Sequence, residues 1–371
     1  MEYNMIPVCE PLIGKEEFKY VQECLETGWI SSNGRFINEF EEKWADYCNM
    51  KYGIAVSNGT TALITSLGCL DLNQDDEIIM PTFTIISCAL AAIYNNCKPV
   101  FIDSDPQTFT IDTTKIEEKI TEKTRAILAV HIYGHPCDMD PIHELARKYD
   151  LVIIEDAAET HGAEYKGKKC GSLGDISCFS FYANKIITTG EGGMVLTNDK
   201  NYAEKARALR NLCFQKHRRF YHEKLGHNFR MTNIQAAIGL AQLERIDELV
   251  EKKRWIGHTY NKMLNDIPGI ILPFEQSWAK NVYWMYGIVL KDTAGIDASE
   301  FAKRLYKSGI DTRPFFLGMH EQPVLKDMGI TGNGKYPISE MISKKGLYLP
   351  SGLTLTEDKI GLVAEAIKKT L

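Results

Sequence analysis

Lys185 closely follows an apolar run, 176–181, and precedes Thr188-Thr189-Gly190-Glu191-Gly192-Gly193. A lysine between a strand end and a glycine-rich turn can sit in a pocket. Desolvation then lowers its pKa and suits it to covalent chemistry on a carbonyl. Asp156 closes a second apolar run, Leu-Val-Ile-Ile-Glu-Asp; a carboxylate there needs a cationic or proton-donating partner. Ser57-Asn58-Gly59-Thr60-Thr61 follows a third run and leads into a helical stretch. Backbone N–H groups and hydroxyls at such a helix start can cradle a phosphate. Taken singly, these are a surface lysine, a helix-capping carboxylate and an N-cap. Together they are what pyridoxal 5′-phosphate requires: an amine for its aldehyde, a carboxylate for its ring nitrogen and a cradle for its phosphate. A dinucleotide site fits less well, because no GxGxxG follows any strand.

The elements that must position these groups alternate along the chain. Residues 15–26 and 35–48 have helical spacing. Short β-branched runs follow at 51–58, 77–81, 98–103, 124–131, 151–156, 176–181 and 192–197, with helical stretches between most of them. Apolar strands separated by helices predict a large, mainly parallel, seven-stranded sheet buried on both faces. A short turn joins the last pair, which predicts an antiparallel edge there. Residues 234–253 read as one long amphipathic helix. Residues 283–290, 298–308, 310–317 and 355–370 suggest a smaller α+β unit, so the expected division is 1–250 and 251–371. Ligands of an open α/β sheet collect beyond the carboxyl ends of its strands, where all three groups stand.

Composition narrows the function. Apolar residues make up 44% and charged residues 25% of the 371, which excludes disordered and collagenous classes. A net charge of −6 disfavours general nucleic-acid binding. No apolar run is long enough to span a bilayer, and the first residues read as no signal peptide. The ten cysteines include no CxxC pair, so reduced, buried thiols in a cytoplasmic protein are expected. His131, His135, Asp138 and His143 fit no standard zinc spacing; loop and helix-cap roles are expected, with no metal.

Seven ordered motifs carry a family resemblance: Trp29–Gly34, Ser57–Thr60, Val130–Pro136, Glu155–Ala158, Phe179–Lys185, Thr189–Gly193 and Gly226–Asn233. With them the chain resembles the DegT/DnrJ/StrS sugar aminotransferases, fold-type-I (aspartate aminotransferase-like) pyridoxal-phosphate enzymes, over essentially its whole length. The resemblance implies that Lys185 binds the cofactor covalently and is the catalytic residue, that Asp156 partners the pyridine nitrogen, and that Gly59, Thr60 and Ser180 contact the phosphate. Asn228 matches a phosphate contact donated by a second subunit, which implies a homodimer with shared active sites. Glu159 or His161 falls near the cofactor's ring oxygen. Many relatives carry an aromatic where this chain has Ile85, which leaves Phe83 to stack on the ring.

Lysine rather than histidine at 185 implies transamination rather than sugar 3-dehydration, with pyridoxamine 5′-phosphate as the aminated form. Trp29–Gly34 and His131–Pro136 look most like the branch that aminates C4 of GDP-4-keto-6-deoxymannose with L-glutamate. The stretch 210–214 departs from that branch. The alternatives are a dTDP-4-keto-6-deoxyglucose 4-aminotransferase, an aminotransferase on a small phosphorylated ketone or cyclitol, and a binding protein that keeps the fold without turnover. Retention of both Lys185 and Asp156 speaks against the last. Trp29 and Ser31, the basic cluster of Lys216, Arg218 and Arg219, and Arg313 and His320 are the expected substrate contacts. Arginine forks suit diphosphate oxygens. The aromatic run 283–286 reads as core.

Overall fold

The computed structural model of the chain describes residues 5–215, 218 and 220–371. The apolar runs become β1 (Tyr52–Val56), β2 (Glu77–Pro81), β3 (Lys98–Ile102), β4 (Thr124–Val130) and β5 (Val152–Asp156). After a short hairpin, β6 (Glu164–Tyr165) and β7 (Lys168–Lys169), come β8 (Ile176–Ser180) and β9 (Gly193–Thr197). β1 to β5, β8 and β9 form one sheet in the order β1-β9-β8-β5-β4-β2-β3. The pairs from β3 to β8 are parallel. β9 runs against both β8 and β1. The reversed strand is therefore not at an edge, as the short turn suggested, but second in the sheet, with β1 outside it. This placement has a consequence for the site. Gly193 at the start of β9 pairs with both Ser180 and Val56, at the ends of β8 and β1. Both ends of the loop 181–192, which carries Lys185, are held at the same sheet edge as Asn58 and Asp156.

Helices α1 (Lys15–Thr27), α2 (Arg35–Tyr47), α3 (Gly59–Gly68), α4 (Ser87–Tyr94), α5 (Met139–Tyr149) and α6 (Lys200–Arg210) cover the sheet. Strands β8 and β9 are buried along their whole length, and only small hydroxyl side chains, Ser177, Ser180 and Thr197, interrupt their apolar sequence. The expected single helix at 234–253 is two: α7 (Asn233–Leu243) and α8 (Ile246–Leu264). Arg245 leaves helical geometry at φ −117° and ψ 12°, and its N–H bonds back three residues to Gln242. Apolar spacing continues through the break because both helices bury a stripe, so periodicity alone could not show it. The break lets α7 pack on α1 and α2, while α8 reaches onward.

Beyond α8 lie β10 (Ile270–Ile271), β11 (Ala279–Lys280), β12 (Tyr286–Leu290), α9 (Ala298–Lys307), β13 (Arg313–Pro314), α10 (Pro323–Asp327), α11 (Pro337–Lys345), β14 (Gly346–Leu349) and α12 (Glu357–Thr370). Four of the strands form an antiparallel sheet, β10-β12-β14-β13, and β11 pairs with the β6–β7 hairpin. Helix α8 links two cores. Its Leu249 and Val250 join the apolar cluster around the main sheet, and Ile256, Tyr260 and Leu264 join the cluster under the second sheet. Tyr260 there stacks on Tyr286 with ring centroids 4.7 Å apart. All ten cysteines are free thiols, and nine are buried.

Candidate active site

A cavity of about 430 Å³ opens at the carboxyl edge of the main sheet, a volume suited to a small-molecule ligand. One end is built by the start of α3. Asn58 is its N-cap, accepting from the Thr61 N–H at 2.9 Å. The Gly59 and Thr60 N–H groups lie in the first turn, where no intrahelical acceptor exists. They face the cavity end shared with Ser180. Gly59 is required by space: a Cβ there would come within 2.7 Å of the Ser180 Cβ. Thr60 Oγ1 and Ser87 Oγ share a hydrogen bond of 2.8 Å. This is an anion cradle of backbone N–H groups and hydroxyls at a helix N-terminus.

The inner wall carries two buried carboxylates and an amine. Asp156, at the end of β5, accepts from the Ala158 N–H at 3.1 Å and the Cys88 thiol at 3.3 Å. Burial raises its pKa. Glu159 accepts from the Tyr133 N–H at 2.7 Å, and burial raises it to about 7. Its other oxygen lies 3.7 Å from Lys185 Nζ. Burial lowers the lysine. Desolvation thus pushes amine and carboxylate alike toward their neutral forms, as a nucleophilic lysine requires. The Trp284 ring covers Nζ, with its centroid 3.6 Å away, and its Nε1 donates to the Asn184 carbonyl at 2.9 Å.

Several expectations need correction or placement. Of Glu159 and His161, Glu159 lines the cavity. His161 lies among Trp44, Phe179 and Phe181, its ring nitrogens without hydrogen-bond partners among the described residues and its pKa lowered to about 3 by burial. Phe83 does not face the cavity. It is fully buried against Tyr133, Phe315 and Phe316, and Ile85 stands at the wall instead. β2 ends at Pro81 and the chain bends through residues 82–84 before α4, so Phe83 and Ile85, which would share a face of a strand, do not share one here. Trp284, expected in the core, is a wall residue, as is Tyr348 of β14. Nothing in the local sequence separates Trp284 from its aromatic neighbours.

The expected substrate contacts lie outside this cavity. Trp29 and Ser31 are exposed, their carbonyls bound by Asn233 at the start of α7. Arg218 is exposed and stacks over Tyr221 at 4.8 Å; Lys216 and Arg219 lie outside the described residues. Arg313 pairs with Asp311 at 2.5 Å. His320 Nδ1 bonds Thr82 Oγ1 at 2.7 Å. Asn228 is exposed and accepts from Arg230 Nε at 2.9 Å.

Among the described residues, one group has metal-ligand chemistry: His131, Glu155 and Cys170. It is an internal knot. Glu155 accepts from His131 Nε2 at 2.9 Å and from the N–H groups of Gly171, Leu173 and Gly174. His131 Nδ1 accepts from the Cys137 N–H at 3.0 Å, so both ring nitrogens are engaged. His135, Asp138 and His143 likewise bond nearby groups: His135 the Pro136 carbonyl, Asp138 the Tyr165 hydroxyl, and His143 the Leu173 carbonyl.

A buried lysine, a carboxylate at the end of the adjacent strand and a phosphate cradle at one helix start, on a mainly parallel seven-stranded sheet, define a fold-type-I pyridoxal-phosphate enzyme. The sequence profile of the DegT/DnrJ/EryC1/StrS aminotransferase family matches residues 11–368, and the chain belongs to that family. It is 45% identical to a GDP-perosamine synthase of Caulobacter vibrioides, over 99% of this chain and 98% of the relative. It is 42% identical to a GDP-perosamine synthase of Escherichia coli O157:H7, over 98% of each. Among solved structures it resembles the aminotransferase TlmJ of Streptoalloteichus hindustanus, with a TM-score of 0.92 and 28% identity over 99% of this chain and 98% of the other. The protein is an aminotransferase, and its cofactor is pyridoxal 5′-phosphate.

Proposed function

We propose that this chain transfers the amino group of L-glutamate to C4 of GDP-4-keto-6-deoxymannose, giving GDP-perosamine for an O-antigen-type glycan of lipopolysaccharide, in the cytoplasm. The observation that carries the reading is the buried Lys185–Glu159–Asp156 wall beside the Gly59–Thr60 cradle, in a chain similar end to end to GDP-perosamine synthases. Bound there, pyridoxal phosphate would carry the amino group between the two substrates and accept the electrons of the broken C–H bond. Every other part belongs to the protein. The Gly59 and Thr60 N–H groups and the Ser180 hydroxyl bind the phosphate. Asp156 holds a proton at the ring nitrogen, and Glu159 faces the ring oxygen. Lys185 Nζ, its proton affinity lowered by burial, takes the proton from the glutamate α-carbon; with the sugar bound it returns one at C4. The sum is glutamate and keto sugar giving 2-oxoglutarate and amino sugar.

In this reading residues 1–250 form the cofactor-binding unit and 251–371 a smaller unit. Asn228 serves the partner's phosphate in a homodimer. Trp29, Ser31, Lys216, Arg218, Arg219, Arg313 and His320 meet the nucleotide sugar.

A second reading has one relative behind it: a dTDP-3-amino-3,6-dideoxy-α-D-galactopyranose transaminase of Aneurinibacillus thermoaerophilus is 35% identical. Incubation with glutamate and either the GDP-linked 4-keto-6-deoxy sugar or the dTDP-linked 3-keto-6-deoxy sugar, followed by mass spectrometry, separates the two. The GDP sugar should gain the amine. Amination of the dTDP sugar alone would overturn the proposal.

A further inference from the structure

A second buried lysine takes no part in the chemistry above. Lys253 stands on α8 with 1% of its surface exposed. A buried ammonium is costly unless its N–H groups are satisfied. Among the described residues no carboxylate pairs with it. Its Nζ donates to the carbonyl oxygens of Trp284, at 2.7 Å, and Ser351. Its neighbour Arg254 donates to the Asn281 carbonyl and, at 2.8 Å, to Glu275. Two adjacent cations of one helix thus grip the backbone on either side of Tyr283.

The gripped segment is strained. Tyr283 has φ +48°, a region that bulky side chains rarely occupy and that surrounding structure must impose. Its N–H donates to Asn281 Oδ1 at 2.8 Å and its hydroxyl to Glu275 at 3.0 Å. Its ring lies flat on Gly257 of α8, where a Cβ would come within 2.5 Å of it. The next residue is Trp284, whose indole covers Lys185 Nζ and bonds the Asn184 carbonyl. A contiguous set of contacts runs from Lys253 through the Trp284 backbone to the face and the peptide of Lys185.

We propose that Lys253 is a positioning residue for the reaction: by holding the Trp284 carbonyl from α8 it sets the indole that covers the Lys185 amine. The proposal rests on Lys185 being the cofactor-bearing lysine. A methionine at 253 keeps the stem but leaves two buried carbonyls without donors. The indole is then free to leave Nζ, which loses the favourable interaction of its charged form with the ring face and gains access to water.

The test uses full-length, cofactor-loaded Lys253→Met, with Lys253→Gln as the variant that restores two N–H donors. The measurements are the absorption band of the lysine-bound cofactor, its pH titration, the glutamate half-reaction rate and the nucleotide-sugar KM. In Lys253→Met the titration midpoint should move by about half a pH unit or more. The half-reaction should slow about tenfold, with the sugar KM within about twofold of wild type. Lys253→Gln should recover most of both changes. A titration and half-reaction matching wild type in Lys253→Met would overturn the proposal. If Lys253→Met does not fold, Trp284→Phe carries the test beside Lys253→Gln: Trp284→Phe keeps a ring, drops the N–H and should move the titration while Lys253→Gln, which keeps the donors, does not, and an unmoved titration in Trp284→Phe again overturns the proposal. Lys185→Ala separates the two levels. Survival of the covalent band in that variant sinks the reading of the site; its loss there, with no change in the Lys253 variants, sinks only the positioning role.

Discussion

The inner wall of the cavity and its outer surroundings are built on opposite plans. Asp156, Glu159, Ser180 and Trp284 are less than a tenth exposed and are bonded into strand ends of the same chain. Trp29 is 54% exposed, Phe220 75% and Leu225 94%. The cradle and the buried wall of the cavity come from the one chain. Of the expected substrate residues that are described, Trp29, Ser31 and Arg218 lie outside helices and strands, Arg313 stands in β13 and His320 in a short 3-10 turn. Chemistry that needs shifted proton affinities requires burial, so it is placed where the sheet is already packed. Recognition of a large, charged, soluble substrate requires access, which the exposed Trp29, Ser31 and Arg218 have.

The sharpest way to break this contrast is to remove the amine at the wall. Lys185→Ala should abolish covalent cofactor attachment and cut turnover by about 10²–10⁴-fold or more, read by the absorption spectrum and steady-state rates. Mixed with an inactive Asn228→Ala variant, it should regain activity in heterodimers, because one of the two sites then has both groups intact. Heterodimers that form and stay inactive would confine the site to one chain.

A smaller effect is expected at the cradle. In Gly59→Ala the new methyl meets Ser180, and overpacking of about 1–3 kcal/mol should appear as weaker cofactor binding by roughly tenfold, measured by equilibrium dialysis. Unchanged cofactor affinity would place the phosphate elsewhere. The mildest change belongs to the exposed loop. Arg218→Ala should raise the nucleotide-sugar KM by about three- to tenfold, in keeping with loss of one exposed charge-assisted bond, and leave the glutamate half-reaction alone. An equal effect on both would show that the loop acts on the cofactor half.

The seven strands of the main sheet were legible because a strand buried on both faces must be apolar throughout, and such runs stand out between helices. Lys185, Asp156 and Gly59 were legible for the same reason: each interrupts or ends such a run with a residue the run does not need. The break at Arg245 was not, since two helices that each bury a stripe look like one. Trp284 was not, because four consecutive residues, Tyr283 to Tyr286, are all apolar enough for a core, and all four are in fact buried. Only the αL turn at Tyr283 aims one of them at the cavity.

By itself the sequence determined the fold class, the strand ends that bear chemistry and the cofactor those groups suit, because these follow from local pattern and residue type. The tertiary structure decided which neighbours share a surface. It put β9 inside the sheet, so that the Lys185 loop is held at both ends. It chose Glu159 over His161 and Ile85 over Phe83 for the wall. It also brought Trp284, with Lys253 behind it, to the lysine. These are contacts between residues far apart in the chain, set by how whole layers pack, and no local pattern encodes them.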